Sequence, residues 1–163
     1  MLSHGCFDNA ASAESTLRYG PAAARAIGLQ TLVLSASTSA EIDAAFATIV
    51  RERADALFVA PDSFFIGSRM QFASLTARNK IPAAYADRDI VEAGGLMSYG
   101  TDFSEMSRQM GIYTGRILKG ERPADLPVLQ LNKFELVINL QTARVLGLAV
   151  PAHLPQLADE GVE

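Results

Sequence analysis

The chain has 163 residues, 49% of them apolar and 20% charged, with 14 basic against 18 acidic side chains and a formal net charge of -4. That length suits one domain with a real core, and the apolar fraction excludes disorder as the main state, which needs low hydrophobicity and high charge. The acidic balance, with no Lys/Arg cluster, argues against a nucleic-acid partner, which would call for a basic surface.

The stretch to residue 9 has no periodicity and reads as a loose N-terminus. Residues 10–27 read as an Ala-rich helix stopped by Gly28. QTLVLS, residues 30–35, is a short apolar run of strand type. Ser37, Thr38 and Ser39 offer caps for a helix over 40–54, where Ile42, Phe46, Ile49 and Val50 share one face. ALFVA, residues 56–60, is a second strand. Pro61-Asp62-Ser63 breaks it and caps a helix reaching about Asn79, with Phe64, Ser68, Phe72 and Leu75 at helical spacing. IPAAYA (81–86) and LMSY (96–99) are the third and fourth strands, separated by a turn at Gly94-Gly95. The runs are apolar rather than alternating, as in strands buried on both faces. Strands alternating with helices mean βαβ units and an α/β fold with a parallel sheet between helical layers.

The remainder differs. Residues 102–119 form a long helix with Phe103, Met106, Met110, Tyr113 and Ile117 on one stripe. Gly120 ends it, and 123–127 make a stiff link. Residues 129–139 alternate over part of their length, as in an edge or half-exposed strand. A short helix over 140–146 closes on Gly147, and the tail from Pro151 is polar and partly ordered.

Most catalytic signatures are missing. There is no Walker A loop and no G-x-G-x-x-G, and no glycine follows the strand at 30–35. Gly95 to Gly100 resembles a nucleophile elbow, but the first glycine stands three positions before Ser98 rather than two. The two histidines, His4 and His153, lie at opposite ends of the chain, so a Ser-His-Asp arrangement would need a residue of the tail. His4 and Cys6 are too few to hold a metal. Asp87 and Asp89 could form an acid–base pair, although acids at a strand end commonly cap or solvate a loop. No catalytic residue, metal or cofactor is therefore expected. One cysteine allows no intrachain disulfide. No apolar run approaches the roughly 18 residues of a membrane span, and MLSHGCFDNAASAEST has neither the basic nor the apolar region of a signal peptide.

What remains is geometric. Open parallel α/β sheets bind ligands at the carboxyl ends of their strands. Those ends carry Pro61, Asp62, Ser63, Tyr85, Asp87, Ser98, Tyr99, Gly100 and Asp102, which are the candidate ligand-binding residues. Ser63 and Asp102 precede helices, so N-capping competes with ligand contact there. Tyr85 and Tyr99 could stack on a ligand and still offer a hydroxyl, or could pack at the boundary of the core.

Four blocks then stand out: EIDAAFATIVRERADALFVAPDSFF (41–65), IPAAYADRDIVEAGGLMSYGTD (81–102), GRILKGERPADLPV (115–128) and KFELVINLQTARVLGL (133–148). In this order they resemble the TrpX-like substrate-binding proteins of ABC transporters, over about residues 12–160. The resemblance implies the type I periplasmic binding protein fold, in which two Rossmann-like lobes close on a solute, and it covers only the second half of such a protein. Residues 10–102 would then be a three-layer second lobe lacking its first strand. Residues 103–150 would be a helix-strand-helix return segment that packs on the first lobe, and 151–163 a tail. Phe103, Met106, Met110, Phe134, Leu136 and Ile138 would be exposed, and a second copy would cover them as a homodimer. The implied partners are a small amino-acid-like or other organic solute and, through the full-length protein, an ABC permease. The implied location is periplasmic, or cytoplasmic if the chain is complete as it stands. A sensing module of the same fold is the alternative, and a flavodoxin-like enzyme a more distant one.

Overall fold

The computed structural model describes residues 3–8, 13–128, 133–158 and 160–162. Five strands run parallel: β1 (Ser3–Asp8), β2 (Gln30–Ser35), β3 (Ala56–Val59), β4 (Ala83–Tyr85) and β5 (Met97–Thr101). β6 (Phe134–Asn139) joins β5 antiparallel, and β7 (Glu160–Val162) joins β6 in parallel. The sheet order is β2-β1-β3-β4-β5-β6-β7. The central β1 corrects the expectation of a loose residue 1–9 segment and a missing first strand. Its sequence, SHGCFD, has too few apolar residues to signal a strand. The fold needs a small residue there, because a Cβ on Gly5 would already press on Ile49 and Leu57 at 3.3 Å.

The helices follow from capping and amphipathic spacing. α1 (Ala13–Ala26) ends at Gly28, whose φ of 78° reverses the chain so that the Leu29 amide bonds back to the Ala24 carbonyl at 2.9 Å. α2 (Ser39–Arg51) opens with the Thr38 hydroxyl accepting the Glu41 amide at 3.3 Å, while the Glu41 carboxylate accepts the Ser37 amide at 2.7 Å. The helix expected over 63–79 is two, α3 (Ser63–Gly67) and α4 (Arg69–Asn79), parted where Ser68 leaves helical geometry at ψ 14°. α5 (Arg88–Glu92), a single turn too short for periodicity to reveal, precedes the Gly94-Gly95 turn.

The step from β1 to β2 runs opposite to the later steps across the sheet. Right-handed crossovers therefore place α1 on one face and α2 to α5 on the other, giving three layers. On the second face, Phe7, Phe46, Phe65 and Phe72 form the centre of the core with Leu57, Val59, Ile42 and Ile49.

The long helix α6 (Phe103–Leu118) is different, because none of its residues is buried. The rest of the expected return segment does not stand apart. β6 buries Val137 and Ile138, and α7 (Leu140–Leu146) buries Ala143. The Asn139 side chain accepts the Thr142 amide at 2.8 Å and donates to the Val91 carbonyl at 3.4 Å. β6 thus gives Val137 to the core, and Ile138 on the opposite face of the sheet, expected to be exposed, is 3% exposed. Residues 129–132, part of the expected strand, lie outside the described residues; the strand itself begins at Phe134. The tail holds α8 (His153–Leu157) and then β7, which pairs through main-chain bonds that a polar sequence does not advertise.

Candidate functional site

The strand order reverses at β1, so the crevice that suits a ligand lies beyond the carboxyl ends of the parallel strands, around β1 and β3 and on toward β5. Three aspartates stand there at helix starts. They are not equivalent. The Asp62 carboxylate accepts the Phe64 amide at 2.8 Å and so caps α3. Asp102 caps α6, accepting the Ser104 and Glu105 amides at 3.0 and 3.1 Å, and pairs with Lys133 Nζ at 2.8 Å. The Lys133 ammonium foremost, then the Glu105 amide, hold its carboxyl below the ordinary carboxylate range. Asp87 occupies the N-cap of α5 but makes no side-chain capping bond. Burial, and then the neighbouring Asp89 charge, push its pKa above the ordinary value of 3.8.

Because its folded pKa is raised, Asp87 disfavours the fold most where it must ionise. Stability attached to it is full below pH 3.8 and is lost as pH rises through the higher folded pKa. Asp87→Asn is therefore expected to raise the melting temperature at pH 7, with the gain vanishing below pH 3.8. Calorimetry across that range checks it; a variant less stable than the parent at pH 7 would assign Asp87 a structural bond instead.

Next to Asp87 the chain is very tight. A Cβ on Gly100 would lie 1.8 Å from the Ala86 carbonyl oxygen, so β5 passes hard against the residue preceding Asp87. Gly100, a candidate contact from sequence, serves this close approach. Beside it Tyr99 is 62% exposed and stacks on Phe134 of β6, with ring centroids 5.7 Å apart and planes 17° apart. The exposed rings stand at the end of β5, and Asp87, 6% exposed, stands at the end of the neighbouring β4. Arg88, next to Asp87, reaches both Glu92 and Glu135 at 2.9 Å and so ties α5 to β6.

Two candidates are corrected. Tyr85 is fully buried, its hydroxyl 3.3 Å from Thr76 Oγ1, and burial pushes its pKa up to about 12. Ser98 is 1% exposed and shares the register and face of Tyr85 and Val137, with its hydroxyl unpartnered among the described residues. Both point under the helices rather than into the crevice, because strand parity outweighs position at a strand end. Pro61 and Ser63 are exposed where α3 begins. Asp8, which sequence reasoning missed, ends β1 at the reversal point, is 1% exposed, and has one carboxylate oxygen without a partner among the described residues. Its signal was a carboxylate closing a strand, as Asp62 and Asp87 do, but β1 itself went unread.

Among the described residues no three His, Cys, Asp or Glu side chains gather as metal ligands. The side chain of His4 lies outside the described residues, and Cys6 is 4% exposed with its thiol pushed up to about 11 by burial and then the Asp8 charge. No helix among the described residues is long and apolar enough to cross a membrane.

The seven-stranded α/β sheet with helices on both faces is Rossmann-like, and the comparisons with known proteins make the class specific. Residues 5–162 match the family of ABC transporter substrate binding proteins, and the chain belongs to that family. It is 29% identical over 112 residues to a tyrosine-binding protein of Clostridioides difficile, a match covering 69% of this chain and 32% of that one. A conserved domain protein from Vibrio cholerae superimposes with a TM-score of 0.86 at 25% identity, covering 99% of this chain and 54% of that one. An ABC domain from Streptococcus pneumonia, solved in complex with L-Trp, gives a TM-score of 0.86 at 24% identity, covering 99% of this chain and 55% of that one. The chain therefore spans about half the length of these solved structures and about a third of the curated relative.

Proposed function

We propose that this chain forms one wall of a solute-binding cleft for a small amino acid with an aromatic or other large side chain, and performs no bond chemistry. The observation that carries the reading is that Asp87, without a side-chain capping bond, and the exposed Tyr99–Phe134 stack stand at the ends of neighbouring strands, where Ala86 closely approaches Gly100. A carboxylate can hold an α-ammonium group, and a stacked aromatic pair offers a flat face to a side chain. The names of two similar proteins, one tyrosine-binding and one in complex with L-Trp, support the same solute class. Delivery to an ABC permease, and a location on the outer side of the cytoplasmic membrane, go with that role in the whole receptor. There, closure of two walls on the solute selects the liganded state.

One wall supplies only part of the contacts. The 163-residue chain alone is expected to bind L-tryptophan or L-tyrosine in the millimolar range, about 4 kcal/mol. NMR titration and calorimetry against an amino-acid panel and the des-amino analogue 3-phenylpropionate test this. Asp87→Asn and Tyr99→Ala should each weaken binding, and the analogue should not bind. Shifts that ignore both substitutions would overturn the site, micromolar affinity would refute the half-cleft argument, and turnover of any solute would refute the reading as a whole.

A further inference from the structure

The helix that begins beside Asp87 cannot hold its own place. α5 has five residues, and a helix of one turn has too few internal hydrogen bonds to be stable alone. Its position comes from the elements around it. Ile90 and Val91 are 1% and 0% exposed. The Val91 carbonyl accepts the Asn139 side-chain amide at 3.4 Å, and the Gly94 carbonyl accepts the Thr142 hydroxyl at 3.0 Å. Both bonds lie toward or beyond the C-terminal end of α5. At the N-terminal end, where Asp87 stands without a side-chain capping bond, the tie is Arg88. Its Nη1 donates to Glu135 at 2.9 Å, and its Nε donates to Glu92 at 2.9 Å.

The two bonds differ in what they join. Glu92 is on α5 itself, one helical turn from Arg88, and its side chain is 52% exposed. Glu135 is on β6, next to Phe134, and its side chain is 12% exposed. β5 lies between β4 and β6, so this pair reaches across a whole strand, about 10 Å from backbone to backbone. The β5 residue in register with Glu135 is Gly100, which puts no side chain in the path. One ion pair thus joins the residue after Asp87 to the residue after Phe134, and Phe134 is stacked on Tyr99. A guanidinium suits this task, because its planar fork fixes direction as well as charge. We propose that Arg88 and Glu135 are positioning residues of the solute site, a strut that sets the Asp87 carboxylate at a fixed spacing from the Tyr99–Phe134 stack. The inference rests on the reading of those groups as solute contacts, and it adds that they act together only when that spacing is held. Neither residue of the strut needs to touch the solute.

NMR titration of the 163-residue chain and its variants with L-tryptophan tests this. Glu135→Gln should weaken binding roughly fivefold, the scale of coupling carried through bonded neighbours. Glu92→Gln removes the same charge from the same arginine at the same distance, and should leave the affinity at the parent value. In an Asp87→Asn background Glu135→Gln should bring no further loss, because the strut acts through that carboxylate. Thermal unfolding should place Glu135→Gln and Glu92→Gln within about 4 °C of the parent, as for pairs that contribute little to stability. A Glu135→Gln chain that binds as the parent does would overturn the proposal. So would equal losses from Glu135→Gln and Glu92→Gln, which would mark a general effect of charge, or a full further loss in the Asp87→Asn background. A larger fall in melting temperature would reduce the pair to a bond that holds the fold, and would overturn it as well. In all these cases weaker binding by Asp87→Asn alone leaves the solute-binding reading standing. A parent chain that binds no L-tryptophan would overturn both.

Discussion

Gly100→Ala is expected to lower the melting temperature by about 10 °C or more, the effect of about 3 kcal/mol on a domain of this size. The reason is space rather than conformation. Gly100 is not among the glycines with positive φ, so alanine could adopt its backbone angles. Its new methyl group, however, would lie 1.8 Å from the Ala86 carbonyl oxygen and 2.9 Å from the carbonyl carbon. Both obstructing atoms are main chain, and β4 and β5 are hydrogen-bonded neighbours in the middle of the sheet, so neither side can give way. Gly111→Ala in α6 is the control. A Cβ there meets nothing within 4 Å, and an exposed helix gains up to about 1 kcal/mol when glycine becomes alanine. Thermal unfolding of the pair should move in opposite directions; a Gly100→Ala chain as stable as the parent would contradict the close approach.

Phe72→Ala is expected to cost about 3–5 kcal/mol, a large share of the roughly 5–15 kcal/mol by which a domain is stable. Phe72 has no exposed surface, and its ring meets Phe7 and Phe65 at 5.3 Å, both nearly edge-on, and Phe46 at 6.0 Å. The residue joins α4 to β1, α2 and α3, so truncation opens a cavity bounded by four elements. Urea unfolding should show a lower midpoint at an unchanged slope, the mark of lost stability rather than of an altered unfolded state. A loss below about 1 kcal/mol would mean that the core collapses to fill the gap. Tyr99→Ala should behave oppositely, weakening solute binding while leaving the midpoint close to the parent's, because its ring is mostly exposed.

Much of this fold was legible because its signals are redundant. β2 is an apolar run of the expected bounds, and α2 carries both a cap pair and a buried stripe of Ile42, Phe46 and Ile49. The sheet's first strand was not legible, because Ser3, His4 and Gly5 supply no apolar pattern and the strand is specified by its neighbours on both sides. β7 is held by its pairing with β6, which leaves no trace in residue type. At the site, position at a strand end was readable but direction was not. Val59 pairs with Tyr85 and is buried among the helices, so the register that turns Tyr85 inward exists only once the strands are aligned. Tyr99 stands one residue beyond Ser98 and faces the other way. The antiparallel placement of β6 also escaped, and with it the stacking of Phe134 on Tyr99.

The same placement of β6 has a mechanical consequence. The chain leaves the sheet toward α6 at Asp102 and comes back at Lys133, and these two passages lie side by side, joined by the Asp102 amide donating to the Lys133 carbonyl at 3.2 Å and by the ion pair between their side chains. The segment that carries α6 is thereby anchored to the sheet at both of its ends, where its outgoing and returning passages are tied to each other.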